Sequence, residues 1–309
     1  MSHAAYAREI IARGSKSFAA ASRLLPGEVR DDVARLYAWC RTADDLIDGQ
    51  VMGHGERRVP DPAERLDGLR RATDDALAGR ATDPVFDGFG AVAARHGISS
   101  GLAHDHLDGF AMDVEMRAYA TEAELAAYCY GVAGSVGVMM ALVLGVAADD
   151  ADTLDRASDL GLAFQMTNIA RDVVADARTG RVYLPSDALA AGGVSASADA
   201  VGDPANAAAV WRVADGLVRS ADRYYASAGV GIDRLSFRTA WAIASARSIY
   251  RSIGVRRRRG GPARLGQRVG TGSAAKISML AASALTAAVG RTPAAAASRD
   301  GLWTRPPRP

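Results

Sequence analysis

Apolar residues recur every three or four positions along almost the whole 309-residue chain. That is the spacing of amphipathic helices, and no stretch alternates convincingly with the period of two that a half-buried strand needs. The pattern predicts helices over 2–23, 28–49, 62–79, 83–96, 100–117, 121–147, 150–178, 204–228, 233–254 and 273–290. The punctuation agrees. Leu25-Pro26-Gly27 closes the first helix, and a stretch containing Gly and Pro separates Gly49 from Pro62. Thr121, with Glu124 three residues on, has the form of a capping box. Asp203-Pro204 puts proline at a first helical position. GGVSASADAVGDP, 191–203, reads as a flexible loop. Without an internal repeat or a clear linker, the expectation is one all-α helical bundle over 1–290. The Ala- and Pro-rich tail, 291–309, is expected to fray.

One helix breaks the amphipathic rule. From Leu125 to Ala148 there is no charged residue. The run is long enough to cross a bilayer, which takes about 20 apolar residues. Yet it holds two tyrosines and glycines at 131, 134, 137 and 145, and much of the rest is alanine. A helix apolar all round also suits the buried centre of a large protein. We expect the buried centre, where small residues let neighbouring backbones or a slim apolar ligand approach.

Composition narrows the class. Hydrophobic residues make up 49%, enough for a sizeable core, and the net charge of +2 gives no broad basic field for nucleic acid. Cys40 and Cys129 are not a C-x-x-C pair and read as reduced core thiols of a cytosolic protein. The N-terminal MSHAAYAREIIARG lacks a secretory apolar region.

The candidate chemistry starts at YAWCRTADDLIDG, 37–49, where a helix carries Asp44, Asp45 and Asp48. Like charges one turn apart destabilise a helix by roughly a few tenths of a kcal/mol per pair. A bound cation would relieve that. A second stripe answers the first: Gln165, Asn168, Asp172 and Asp176 lie three or four apart along one helix face. Two polar stripes facing each other inside a bundle form a metal site. Oxygen donors without His or Cys point to magnesium, which keeps waters and bridges to phosphate oxygens. Arg41, Arg171 and Lys16 supply cations for a leaving diphosphate. Asp45 reads as outward-facing or one step behind the metal. Asp105, Asp108, Asp113 and Glu115 read as a solvated helix face, and His104 and His106 as surface residues. GSKS, 14–17, is not a phosphate-binding loop, because glycine does not directly precede the lysine and no strand leads into it.

These motifs together resemble the squalene and phytoene synthase family, its bacterial phytoene synthases most of all. The matching pieces are GSKSF (14–18), YAWCRTADDLIDG (37–49), YCYGVAGSVG (128–137), LGLAFQMTNIARDVVADARTGRVYLP (160–185) and IYRSIG (249–254). The resemblance implies an isoprenoid-synthase fold with a central apolar cavity. It implies head-to-head condensation of two geranylgeranyl diphosphates to phytoene, in carotenoid biosynthesis. Carried over by position, Asp44, Asp48, Asp172 and Asp176 would bind Mg²⁺, with Mn²⁺ as a substitute, and Asn168 and Gln165 would support that cluster. Ser15, Lys16, Arg41, Arg171, Tyr250 and Arg268 would contact diphosphate. Some members have histidine before Ser-Lys-Ser, but here it is Gly14.

Phe18, Tyr37, Tyr128 and Phe164 are aromatic candidates for stabilising a passing carbocation, and equally for core packing. No NADPH requirement is expected. Lipid substrate and product imply a cytoplasmic enzyme working peripherally at the inner face of a membrane, in contact with downstream carotenoid enzymes. Arg256–Arg259 would dock on headgroups, or form a solvated loop or one closing over diphosphate. Three alternatives stay open: a C15-specific squalene or dehydrosqualene synthase, a class I terpene cyclase sharing D-D-x-x-D, and an inactive assembly factor.

Overall fold

The computed structural model describes residues 21–49, 60–267, 269–289 and 298–306, and the regular structure among them is helical throughout. The first helices are α1 (Gly27–Asp48), α2 (Pro62–Leu77), α3 (Pro84–His96) and α4 (Ser100–Val114). Next comes a continuous helix made of α5 (Glu122–Cys129), a π turn (Tyr130–Gly134) and α6 (Ser135–Val143). Then follow α7 (Ala151–Arg178), the short α8 (Ser186–Ala191) and α9 (Ala198–Gly202), α10 (Ala207–Ile232), α11 (Phe237–Gly260) and α12 (Ser273–Val289). The caps anticipated from sequence are present. Thr121 Oγ1 accepts from Glu124 N at 3.3 Å, and the Glu124 carboxylate reaches back to Ala120 N at 2.8 Å. Pro204 opens a 3-10 turn that leads into α10.

The charge-free segment is the bundle's centre, as expected. It is long and apolar enough to cross a membrane, but 67% of the apolar window is buried inside the protein. Its two halves serve different cores. Val138, Met139 and Ala141 of α6 pack with α1 to α4, whereas Leu125, Tyr128 and Tyr130 pack with α7 to α10. The π turn sits at the changeover. Its extra residue rotates the helix by roughly 100° between the two faces it must bury. Periodicity alone could not reveal this.

Backbones touch around that centre. A Cβ on Gly161 of α7 would lie 2.2 Å from the Ala133 carbonyl oxygen, and one on Gly137 would lie 2.3 Å from that of Ala157. On the other side Gly131 meets Gly109 of α4, its Cβ position 2.7 Å from the Gly109 Cα. The small residues therefore fix how closely α4, the central helix and α7 approach.

Several expectations need correction. His106 is not at the surface: it is buried, bonds the Gly131 carbonyl at 3.2 Å and packs on Trp39 and Phe110. Burial pushes its pKa down to about 4, so it stays neutral. His104 is part-exposed, against Asp74. The acidic residues of α4 divide. Asp105 is buried under the Tyr130 hydroxyl at 2.6 Å and Asp113 points inward, while Asp108 pairs with Arg70 outside. Segment 191–203 is not a plain loop: Ser197 caps α9, and Val194 and Val201 are buried. Cys129 is a buried thiol and Cys40 a part-buried one; burial pushes Cys40 up to about 12.

The tail's described end is packed, where its composition predicts fraying. Arg299 forks onto Asp159 at 2.8 and 3.0 Å and reaches Asp155 at 2.9 Å, and Arg305 joins Asp155 at 2.7 Å. Trp303 packs at a tilt on Tyr130, ring centroids 5.1 Å apart, and its amide donates to the Tyr224 hydroxyl.

Three expected outcomes follow. Gly161→Ala lowers unfolding free energy by about 3 kcal/mol or prevents folding, because rigid backbone opposes the new methyl. Gly216→Ala, with nothing within 4 Å of the added atom, raises it by about 0.5–1 kcal/mol. Urea titration reads these two. Arg299→Ala strands the Asp159 carboxylate, which is only 1% exposed, and costs about 3–5 kcal/mol by the same measurement.

Candidate active site

Both acidic helices run from apolar to polar along one stripe. In α1 the stripe is Tyr37, Cys40, Arg41, Asp44 and Asp48; in α7 it is Leu160, Phe164, Gln165, Asn168, Arg171, Asp172 and Asp176. All of these residues stay partly open although their helices are central. Another face of each helix is buried, α1 through Leu36 and Trp39, α7 through Leu162 and Met166. The carboxylates lie toward the C-terminal end of each helix. Those ends meet at one end of the bundle, because Arg181, three residues past α7, donates to Asp48 at 2.9 Å. Deeper in, Tyr250 of α11 stacks on Phe164 at 4.3 Å and stands within electrostatic reach of both Tyr37 and Arg171. The two stripes thus share one mouth and one aromatic floor.

Each stripe carries its own neutralising cation. Arg41 bonds Asp44, lies 4.0 Å from Asp45, and sits over the Tyr37 ring at 5.9 Å. Arg171 forks onto Asp172, with Nε at 2.9 and 3.0 Å from the two oxygens. Burial drives the Asp44 pKa up to about 7; Arg41 opposes this, while Asp48, Asp45 and Asp113 add to it. The Asp44 side chain still keeps 35% of its exposure, so solvent at the mouth tempers the effect.

Asp113 was missed as a site residue. It accepts from the Tyr183 hydroxyl at 2.7 Å and the Tyr128 hydroxyl at 3.0 Å, and burial lifts it to about 6 against the pull of Arg181. One signal was present: 105, 109 and 113 mark a single face of α4, with Gly109 in the middle. Arg181 and Tyr183 were also legible, inside RTGRVYLP. Tyr128, an aromatic candidate, belongs to this cluster, stacked on Tyr183 at 5.1 Å.

A second group lies beside Arg171. An open cavity of about 370 Å³ is bounded by Arg171, Ile249, Ile253, Thr271 and Lys276. Lys276 was not picked out from sequence, although a lone cation in a 17-residue apolar helix was the signal. The run Arg256–Arg259 belongs to α11, not to a loop. Arg257 is 2% exposed and holds the carbonyls of Ala170, Arg264 and Leu265 at 3.0, 2.7 and 2.5 Å. Ser15, Lys16, Phe18 and Arg268 lie outside the described residues.

Among the described residues no three His, Cys, Asp or Glu side chains form a ready-made metal cage. The donors still suit a hard cation. Asn168 Oδ1 is buried with no hydrogen-bond partner among the described residues, while its amide faces Gln165 at 3.5 Å. Facing carboxylates and one orphaned amide oxygen leave coordination to be completed by waters and phosphate oxygens, the habit of magnesium.

The profile of squalene/phytoene synthase matches residues 11–278. The chain belongs to the squalene/phytoene synthase family. This family member is 50% identical over 299 residues to the 15-cis-phytoene synthase of Paracoccus sp., covering 96% of both chains. It is 45% identical to that of Pantoea ananas, over 97% of both. Its fold is similar to a dehydrosqualene synthase crystal structure, with TM-score 0.78 and 28% identity over 91% of this chain and 95% of that one. Squalene synthase HpnC from Alicyclobacillus acidocaldarius has TM-score 0.73 at 23% identity, over 84% of this chain and 94% of that one, a likeness of fold alone.

The raised Asp44 and Asp113 values set a pH dependence. A carboxyl whose folded pKa lies above its unfolded value stabilises the fold fully below about pH 4 and loses that contribution as pH rises toward its folded pKa. In chelator, the melting temperature should therefore fall between pH 4 and 7, and Asp44→Asn should flatten the fall. Added Mg²⁺ should raise the melting temperature more at pH 8 than at pH 5, read by differential scanning fluorimetry.

Proposed function

We infer that the protein is a prenyltransferase that condenses two molecules of geranylgeranyl diphosphate head to head into phytoene, through prephytoene diphosphate, releasing two diphosphates. The observation that carries this is near-full-length identity of 50% and 45% with two 15-cis-phytoene synthases. A second reading, farnesyl diphosphate giving a C30 product, draws on the likeness to a dehydrosqualene synthase.

Asp44, Asp48, Asn168, Asp172 and Asp176 are the residues that would hold Mg²⁺, or Mn²⁺ in its place. The bound cation would supply Lewis-acid charge to the departing diphosphate. The chain's own part is positional and electrostatic. Arg41 and Arg171, half-buried beside the carboxylates, receive diphosphate oxygens, joined by Lys276 from α12. Ser15, Lys16 and Arg268 are assigned the same task from sequence. Gln165 orients the Asn168 amide.

The first ionisation breaks an allylic C–O bond. The second substrate's double bond attacks the resulting cation and a proton leaves, forming the cyclopropane. A second ionisation opens that ring, and proton loss leaves the central double bond. Tyr37, Phe164 and Tyr250 present ring faces below the mouth, each worth about 0.5–2 kcal/mol toward a passing cation. Their packing also keeps out water, which would capture the cation as an alcohol. No step consumes a reductant.

Incubation with C15 or C20 diphosphate and Mg²⁺, with and without NADPH, followed by mass analysis, tests the assignment. A C40 hydrocarbon from C20 without NADPH is expected. A C30 product from C15 favours the second reading, and a cyclic C20 product or an elongated diphosphate overturns both. Asp48→Asn and Asp172→Asn should each lower turnover on the order of a hundred-fold or more with an unchanged helical circular dichroism spectrum.

A further inference from the structure

Charge is distributed unevenly along the chain. From Arg234 to Arg299, both ends included, there are thirteen Lys and Arg residues and not one Asp or Glu, so the rest of the chain is net acidic. This stretch makes α11 and α12. Some of its cations are engaged inward: Arg257 is buried, and Arg251 and Arg258 pair with Asp222 and Asp215. Arg238, Arg256, Arg259 and Arg264 are exposed, and none has a carboxylate partner among the described residues.

The same face collects exposed apolar side chains. Six large hydrophobic residues are notably exposed among the described residues, and four of them are here. Ile277, Leu285 and Val289 of α12 are 70%, 67% and 74% exposed, and Phe237 at the start of α11 is 48% exposed. The three on α12 fall within about 120° of one another around the helix, with exposed Ala274, Ala281, Ala282 and Ala288 among them. The opposite side of α12 is packed. Ser283 is buried against Ser248, the Trp241 indole donates to the Leu280 carbonyl, and Lys276 turns into the cavity beside Arg171.

The arginines flank this stripe at both ends. Arg256 bonds the Gly270 carbonyl just before α12 begins. Arg238 lies at the start of α11, where Ala240 and Ala244 pack with Ala287 near the end of α12. At 17 residues α12 is about 25 Å long, short of the roughly 30 Å hydrocarbon core. With one side held by α11, it cannot span a bilayer. It can lie along one, with apolar side chains among the acyl chains and cations among the headgroups.

We propose that the outer face of α12, with Phe237 and the flanking Arg238 and Arg256, is the surface by which the protein docks on an anionic lipid bilayer. The proposal deepens the functional reading, since it rests on the substrates and product being membrane-dissolved prenyl lipids. A bilayer suits the face better than a protein partner because its cations have no carboxylate partner among the described residues and its apolar residues are shallow and dispersed, with no central aromatic anchor. Lys276 lines the cavity while Ile277, about 100° further round the helix, is exposed, so one helix would border both the lipid and the diphosphate mouth.

Vesicle sedimentation of the full chain, without substrate, tests this. Vesicles of phosphatidylcholine alone are compared with vesicles containing about one third phosphatidylglycerol. The protein should pellet with the anionic vesicles, and less so as salt rises. Ile277→Ser/Leu285→Ser/Val289→Ser should weaken that partition at least about ten-fold while keeping turnover of detergent-dispersed substrate. Arg238→Glu/Arg256→Glu should weaken binding to the anionic vesicles alone. Unchanged partition of the apolar variant overturns the proposal. So does a native protein that ignores vesicles and sediments as a dimer which the apolar variant splits, the mark of a second copy on this face. Should the variant fail to fold, hydrogen exchange of the native protein decides: vesicles should protect Ser273–Val289, and absence of protection overturns the proposal. Because binding is read without substrate, an inactive protein that still docks sinks only the reaction assignment.

Discussion

Several carboxylates crowded at one end of a bundle repel each other and resist burial, and the site is organised around that strain. Asp44, Asp48 and Asp113 come from α1 and α4, and each feels another of the three. The fold tolerates them by bringing in arginines on the same elements or just beyond: Arg41 one turn before Asp44, Arg171 beside Asp172, and Arg181 reaching across to Asp48. These pairs are half-buried, where a broken partner is costly and a replaced partner is not. A substrate carrying diphosphate, arriving with divalent cations, offers both replacements together. On the proposed function, the carboxylates would exchange guanidinium for metal and the arginines would exchange carboxylate for phosphate. Charge balance would then be kept throughout, which would suit the site to a polyanion although its lining is rich in acid.

That electrostatic arrangement needs rigid walls. Backbone contact at Gly161, Gly137 and Gly131 removes slack between α4, the central helix and α7. The π turn lets one helix fill two cores. Arg257 adds a clamp from α11: by holding the Ala170 carbonyl it fixes the backbone one residue before Arg171. Where neighbouring side chains must stay apart from water and hold a cation's path, such fixed backbone limits the reorganisation that would otherwise accompany each ionisation.

Much of this was legible in the sequence, for identifiable reasons. Helix positions followed from periodicity, and α7 was read as 150–178 against Ala151–Arg178 observed. The stripes Asp44/Asp48 and Asn168/Asp172/Asp176 were visible because spacing on a single helix fixes which residues share a face. What failed was whatever depends on a partner far along the chain. Asp113 looked like any surface acid until Tyr128 and Tyr183 were placed against it, and His106 until Trp39 covered it. Arg257 was indistinguishable from its three neighbours in the run, since only the helix's rotation selects which one turns inward. Arg299 gave no local hint of Asp159, 140 residues away. The tail's alanines and prolines describe its intrinsic preference, not the buried carboxylate waiting for it.

The gradient within the site also bears on where the substrate comes from. Along α1 and α7 the partly open stripes pass from Tyr37 and Leu160 to Asp48 and Asp176, so an amphipathic substrate must lie tail inward and diphosphate at the mouth. A prenyl chain is far more stable in a bilayer than in water, at roughly 0.8 kcal/mol per CH₂. An enzyme that drew it from solution would depend on a vanishing free concentration. On the proposed docking, a mouth beside a helix whose outer face is apolar and flanked by arginine would shorten the transfer to one between two apolar phases. The diphosphate would then cross only the headgroup layer, meeting cations along the way. The acid-free stretch from Arg234 to Arg299 and the acid-rich mouth would answer the same requirement: one would attract the surface that carries the substrate, and the other would hold the charge that activates it.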